Sequence, residues 1–270
     1  MAQVYSGTLQ TFSVAGGSQL EFVRDAEITV NDAQVEGAPA SRFGGNTQGV
    51  KRAATISGTL MTDSSTDIRV SHLNVSAATL GAVNLLSPNV LNSLTLGINM
   101  THQMKAGVGQ LWQTPVVSDG SFDTSLTLDF DGTAVPQLLV DMFSATYANL
   151  NKTLDFTVNG VQIQIPFRMR EASIPVGKGE KQIYTLGLAD RSARSGVTVL
   201  PSGTTSLLEK ALNQPKTAIA FAFQGASTFN ISMSGNMVWS RYQLQIQDSG
   251  LVLASASWLS YGTVTGTGVS

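Results

Sequence analysis

The chain has 270 residues and a formal net charge of −2, and only 13% of its residues are Asp, Glu, Lys or Arg. This balance argues against non-specific nucleic-acid binding, which depends on clustered Lys and Arg. The absence of cysteine excludes disulfides, thiolate metal sites and thiol catalysis. We expect no signal peptide and no membrane partner, because the N-terminus has no basic-then-apolar pattern and no apolar run approaches the length of a transmembrane helix.

Strand patterns dominate the first half of the chain. Segments that alternate polar and apolar residues, or are rich in β-branched residues, are typical of strands. The predicted strands here are Glu27–Val30, Ala54–Met61, Ser93–Met100 and Ser125–Phe130.

The second half has the same character. In one segment Val161, Ile163 and Ile165 alternate with Gln162 and Gln164, which predicts a strand with one buried face. The predicted strands of this half are Leu154–Val158, Val161–Phe167, Ile183–Leu188, Ala218–Phe223, Phe229–Gly235 and Tyr242–Asp248.

Three segments carry helix signals. Thr204–Pro215 begins with a capping box, Ser206 followed by Glu209, and ends at proline. Ser76–Pro88 has a similar pattern 130 residues earlier. Thr133–Ala145 is a third candidate, with a proline suited to the first helical turn. We therefore predict a flanking helix in each half and another near their junction.

The order of segments repeats along the chain. Thr8–Gly17 resembles Thr153–Gly160, and Arg24–Val30 resembles Arg170–Val176 at an offset of 146 residues. Such internal similarity indicates a duplicated unit. We predict two domains, residues 1–146 and residues 147–270.

Further along the chain the offset falls to 130 residues, as for Thr55 with Thr185 and Gly120 with Gly250. The first copy therefore has about 16 extra residues, which lie in a Gly-, Ala- and Asn-rich segment. Because this segment has no strand or helix periodicity, we predict a long loop over residues 31–50.

No pattern in the chain predicts an active site. The two histidines, His72 and His102, lack a neighbouring acid or nucleophile motif. The acidic residues of the segment 119–131 do not have the spacing of a Ca²⁺-binding loop. We expect Trp112, Trp239 and Trp258 to pack in a core or interface. The sequence thus predicts no enzyme, no cofactor and no bound metal.

Both halves resemble the tail-tube domain of long-tailed bacteriophages. The similarity lies in paired strands, a long loop or turn, a helix, and a closing hairpin that ends in Gly-Thr. The segments 51–63 and 115–133 are similar in style to major tail proteins. The resemblance implies a mainly β protein made of two tandem β-sandwich or barrel-like domains.

The resemblance also implies a function. Such proteins polymerise into stacked rings that form the tail tube, a conduit for genome ejection. A chain with two fused domains is expected to form trimeric, pseudo-hexameric rings in the virion tail, assembled in the host cytoplasm. Expected partners are further copies of the chain, the tape measure protein, the tail terminator and distal tail proteins, and DNA transiently in the lumen.

The predicted long loop is our candidate for the contact between rings. The residues expected to make this contact are Val35, Glu36, Arg42, Phe43 and Asn46. Two other classes remain open at this point. One is another tail component with doubled tube domains, such as a distal tail or hub protein. The other is a β-sandwich carbohydrate-binding module, which would be a monomer with exposed tryptophans.

Overall fold

The computed structural model describes most of the chain. The described residues are 9–14, 18–19, 21–37, 46–61, 75–86, 91–107, 110–129, 135–144, 146–158, 161–174, 183–190, 198–200, 211, 217–225, 232–247 and 253–267. Of the predictions above, His72, Arg42, Phe43 and nearly all of the Thr204–Pro215 helix lie outside these residues. Ala211 alone of that predicted helix is described, and it is helical.

Antiparallel strands make up most of the described chain, which confirms the predicted mainly β class. The strands are β1 (Leu9–Val14), β2 (Ser18–Gln19), β3 (Glu21–Gly37), β4 (Asn46–Met61), β5 (Val75–Leu80), β6 (Val83–Asn84), β7 (Leu91–Lys105), β8 (Thr114–Asp129), β9 (Asn151–Val158), β10 (Val161–Ser173), β11 (Ile183–Asp190), β12 (Thr198–Leu200), β13 (Ile219–Gly225), β14 (Ser232–Gln247), β15 (Leu253–Ser260) and β16 (Thr265–Thr267).

One of the predicted helices forms as expected. It is α1 (Val135–Met142), and a 3₁₀ helix, Tyr147–Leu150, follows it. Asp141 fixes α1 to β9, because its carboxylate accepts hydrogen bonds from Lys152 Nζ at 2.6 Å and from Gln137 Nε2 at 3.0 Å. The hydrogen bond from Lys152 lowers the pKa of Asp141.

A single antiparallel sheet joins the strands. Its central run has the order β3-β4-β15-β14-β7-β8-β11-β10. Strands of the first half of the chain pair with strands of the second half, and these pairings match each other two by two. β4 pairs with β15 and β8 with β11, while β1 pairs with β13 and β5 with β9. β7 pairs with β14 in the middle.

The core lies on one side of this central run. Strand residues alternate between this side and the opposite one, as the pleat of a β-strand requires. Leu244, Leu96 and Thr124 form one buried row across three strands, and Ile246, Leu94 and Leu126 form the next. Burial of such rows is the main force that holds the sheet together.

The Ser76–Pro88 helix prediction is wrong. Residues 75–80 form β5, and 83–84 form β6. Gly81 makes the turn between them with φ +61°, a conformation that glycine adopts without strain. Ala78 and Leu80 are buried against β9, so pairing with a distant strand overrides the local helical pattern.

The predicted loop over residues 31–50 is also corrected. Residues 31–37 belong to β3 and residues 46–50 to β4, and the two strands pair as far as Gly37 with Asn46. The ladder satisfies backbone groups that a loop would leave to water. Residues 31–37 and 46–50 therefore form a two-stranded ladder, which we call the β3·β4 arm.

Candidate functional site

The side of the central sheet opposite the core is polar. We call it the polar face, and it is carried by β4, β15, β14, β7, β8 and β11. Its polar and glycine positions are Thr55, Ser57, Ser255, Ser257, Arg241, Gln243, Gln245, Ser93, Thr95, Gly97, Asn99, Ser121, Asp123, Ser125, Thr127, Asp129, Thr185 and Gly187.

Rows of small hydroxyl and amide side chains cross the polar face. Gln245, Thr95, Ser125 and Gly187 stand opposite one another on four successive strands. Most of these positions are half-buried, because neighbouring strands crowd side chains together. A few apolar residues, such as Leu259 and Ile183, interrupt the pattern. The result is a broad, smooth and largely uncharged surface.

The charged groups on the polar face are few. They are Arg241, Asp123 and Asp129. Arg241 donates a hydrogen bond from Nη2 to Gln243 Oε1 at 2.8 Å, which holds its guanidinium along the strand. Among the side chains described on these six strands Arg241 is the one cation, and strong binding of phosphate groups requires several Lys or Arg side chains.

Gly97 occupies a position on the polar face where no side chain fits. A Cβ atom at this residue would lie 2.8 Å from the carbonyl oxygen of Asp123 on the neighbouring strand. Glycine therefore permits the close approach of β7 and β8 at the centre of the sheet.

β7 and β8 continue beyond the polar face as a second arm. β14 leaves β7 after Asn99, and the paired residues 100–105 and 114–120 extend further, which we call the β7·β8 arm. The end of this arm contacts β4, where Arg52 N donates to the Leu111 carbonyl at 2.7 Å and Gln113 N to the Arg52 carbonyl at 2.9 Å.

His102 holds the base of the β7·β8 arm. Its Nε2 lies 2.6 Å from the carbonyl oxygen of Trp239, beside an irregularity in the β14·β15 ladder between Trp239 and Arg241. Burial lowers the pKa of His102, and the hydrogen bond to this carbonyl opposes that shift to a smaller extent. The arrangement favours a neutral imidazole that donates through Nε2.

A cleft of about 430 Å³ lies between the end of the β7·β8 arm and the segment after β15. Its lining residues are Gln110, Leu111, Trp112, Thr114, Gly262 and Thr263. The described lining residues include no ionisable side chain.

The residues predicted to contact a neighbouring ring fall into two groups. Val35 and Glu36 lie on β3 and Asn46 lies on β4, all near the end of the β3·β4 arm as far as it is described. Arg42 and Phe43 lie between these strands in sequence, outside the described residues.

The sequence did not indicate the polar face as a site. The alternation of Ser, Thr and Gln with apolar residues predicts that each strand has one polar side. It does not predict that the polar sides of six strands form one surface. The tryptophan prediction is confirmed for two residues, since Trp239 and Trp258 are buried with ring centroids 5.2 Å apart.

No family model matches the chain, and no curated protein matches it in a sequence search. Among the described residues, no helix is long and apolar enough to cross a membrane. The same residues contain no group of three or more His, Cys, Asp or Glu side chains that could hold a metal ion.

Proposed function

We propose that this chain is the tube subunit of a long-tailed bacteriophage tail, a structural protein that polymerises into stacked rings around a channel for DNA. The observation that carries the proposal is the central sheet. It combines a buried apolar side with a broad polar face that carries few charges on its six strands. A ring of such sheets would place the polar face on a channel.

The dimensions of the sheet suit a tube. Three copies of the eight-strand central run would give roughly 24 strands. At about 4.8 Å between strands their circumference is roughly 115 Å and their diameter roughly 37 Å, before strand tilt widens it. Such a channel would accommodate a DNA duplex.

The reciprocal ladders support duplication of a smaller unit. If the halves 1–146 and 147–270 are copies, an approximate two-fold axis between β7 and β14 relates one half to the other. We therefore propose a trimeric ring in which the two halves alternate in direction. This arrangement differs from the pseudo-hexameric ring that the resemblance to tail-tube domains implies.

The other expected partners follow from this role. The tape measure protein and DNA would occupy the channel, and terminator and distal tail proteins would close its ends. The β3·β4 arm, with Val35, Glu36 and Asn46, stays our candidate for the contact between rings, together with Arg42 and Phe43 of the segment that joins its strands in sequence. Replacing residues 34–49 by an Asn-Gly turn should give rings that do not stack, and normal tubes from that variant would contradict this assignment.

Negative-stain electron microscopy and analytical ultracentrifugation of the purified protein test the proposal. We expect filaments with a central channel and a regular axial repeat. A stable monomer at high concentration would contradict it. That outcome would favour the carbohydrate-binding alternative, although the burial of Trp239 and Trp258 removes two of the three tryptophans from any sugar-stacking surface. Single rings that never extend would favour a distal tail or hub protein.

A further inference from the structure

We propose that the cleft between the end of the β7·β8 arm and the segment after β15 binds a neutral saccharide, with the indole of Trp112 against a sugar ring and the neighbouring amide and hydroxyl groups bonded to its hydroxyls. This inference adds a binding site to the chain and does not rest on the proposed function.

Both walls of the cleft are fixed to β4. On one wall, Arg52 joins the arm through two backbone hydrogen bonds, from its N to the Leu111 carbonyl at 2.7 Å and from Gln113 N to its own carbonyl at 2.9 Å. On the other wall, Ala54 N donates to the Oγ of fully buried Ser260 at 2.9 Å. Because residues two apart on one strand hold both walls, a ligand would find the cleft already formed, which lowers the entropic cost of binding.

The segment after β15 is held on its other side by β14. Tyr261 N donates to the Asn236 carbonyl at 2.7 Å, and the side chain of Val264 is buried. Gly262 lies between these two anchors and lines the cleft, and a Cβ atom at this residue would meet nothing within 4 Å. The space beside this part of the wall is therefore open to a ligand.

The lining of the cleft combines an aromatic side chain with neutral polar groups. Trp112 packs partly against the core, and Leu111 beside it is 46% exposed. The polar side chains of the lining belong to Gln110, Thr114 and Thr263. An indole offers a broad apolar surface, while an amide and hydroxyl groups offer both donors and acceptors.

A local turn positions the amide of Gln110. Its Oε1 accepts a hydrogen bond from Gly107 N at 3.0 Å, and its backbone N donates to the Gly107 carbonyl at 3.1 Å. The turn thereby orients the amide, whose Nε2 group can donate hydrogen bonds to a ligand.

The class of ligand follows from this lining. A charged ligand is disfavoured, because the described lining residues offer no opposite charge to offset its desolvation. A wholly apolar ligand is also disfavoured, because it would remove water from the Gln110 amide and the threonine hydroxyls without replacing their hydrogen bonds. A pyranose ring meets both conditions, since its C–H groups can lie on an indole while its hydroxyls bond to the polar groups around it.

The size of the cleft limits the length of the saccharide. A volume of about 430 Å³ lies toward the lower end of the range for small-molecule sites, which favours a short saccharide. A nucleobase could also stack on Trp112, so nucleosides are the competitors to be tested beside the sugars.

Fluorescence titration of the full chain tests the site. The probes are the methyl glycosides of glucose, galactose and N-acetylglucosamine, together with maltotriose, cellotriose and chitotriose, at millimolar concentrations. Because Trp239 and Trp258 are buried, a saturable change in emission reports on Trp112 and should be absent from Trp112→Phe. We expect such a change with at least one probe, and a wild-type protein that responds to none would overturn the inference.

Calorimetry with the best probe tests the individual contacts. Trp112→Ala should weaken binding at least tenfold, and Trp112→Phe should recover part of the loss, since a phenyl ring keeps an aromatic face. Gln110→Ala and Thr263→Ala, both at exposed positions, should each weaken binding several-fold. Phe143→Ala and Gln103→Ala are the matched controls, because both side chains are exposed and lie outside the cleft, and they should bind as the wild type does.

Three further results would overturn the inference. Full affinity in both Gln110→Ala and Thr263→Ala would mean that the saccharide binds elsewhere. An equal loss in Phe143→Ala would mean that the effect is not specific to the cleft. Saturation by adenosine or thymidine, but by no saccharide, would favour a nucleobase. Since the cleft lies within one chain, these measurements apply to tubes and to monomers alike, and the proposed function is decided separately by electron microscopy.

Discussion

The hairpins β7·β8 and β14·β15 lie side by side at the centre of one sheet, yet they differ in what their residues contact. β14·β15 carries a cluster of large aromatic side chains in the core, with Trp239 and Tyr242 edge to face at 5.8 Å and Trp258 packed beside them. β7·β8 is regular along the polar face and then projects as an arm beyond Asn99.

The difference teaches which parts of the sheet hold the fold and which extend it. Where both hairpins share the core, their inward residues are fully buried, as for Leu96 and Leu244. Along the arm, Met104, Leu111 and Val116 are each more than one-third exposed. The aromatic hairpin should therefore dominate the free energy of unfolding, while the arm should affect contacts made outside the chain.

Removing an aromatic ring from β15 should have the largest effect. Trp258→Ala deletes a side chain with no exposed surface and should lower the free energy of unfolding by about 3–5 kcal/mol. Leu111→Ala, on the arm, should change it by less than about 0.5 kcal/mol. Urea denaturation, at protein concentrations too low for assembly, measures both variants. Similar losses of unfolding free energy would contradict the inference that the aromatic hairpin, and not the arm, stabilises the fold.

A methyl group at Gly97 should have an intermediate effect. Gly97→Ala forces a Cβ atom against the Asp123 carbonyl and should cost about 1–3 kcal/mol by overpacking. Gly187→Ala is the matched control on the same polar face, because its nearest contact, the Cβ of Glu171, is at an ordinary 3.4 Å. Thermal unfolding compares the two variants, and an equally stable Gly97→Ala protein would show that the two strands are free to separate.

Acidification should have the smallest effect. The pKa of His102 is lowered in the folded chain, so below pH about 6.5 the unfolded chain binds more protons and the free energy of unfolding falls. We expect a loss of up to about 1 kcal/mol between pH 7 and pH 5. The lowered pKa of Asp141 acts only below this window, where its contribution is lost as the pH falls.

His102→Gln is the control for this pH dependence, because an amide can donate to the Trp239 carbonyl but does not titrate. Urea midpoints at the two pH values should differ less in this variant than in the wild type. An unchanged pH dependence would mean that other groups cause it.

Much of the fold was predictable from the sequence. The period-2 alternation around Ile163 and Ile165 correctly placed these residues in the core and their glutamine neighbours on the other side. Both glutamines donate to Asp155 on β9, a contact that the alternation does not reveal. The helix at α1 was also predicted, because an amphipathic run with an early proline is a strong local signal.

The errors concern segments whose structure depends on distant partners. Residues 75–80 carry a helical pattern but are strand because β9 binds them, and residues 31–37 lack a strong strand pattern but pair with β4. The polar face was not predictable for the same reason, since Gln245 and Ser125 become neighbours of Thr95 only when strands of the two halves pair.

The sequence by itself determined the strands with clear alternation, such as Val161–Phe167, and which of their sides is apolar, because these properties depend on a few neighbouring residues. Only the tertiary structure decided which strands are neighbours, since strand pairing joins segments far apart in the chain and no local pattern encodes the partner. That choice joined strands of both halves into one sheet and brought their polar positions together as the polar face.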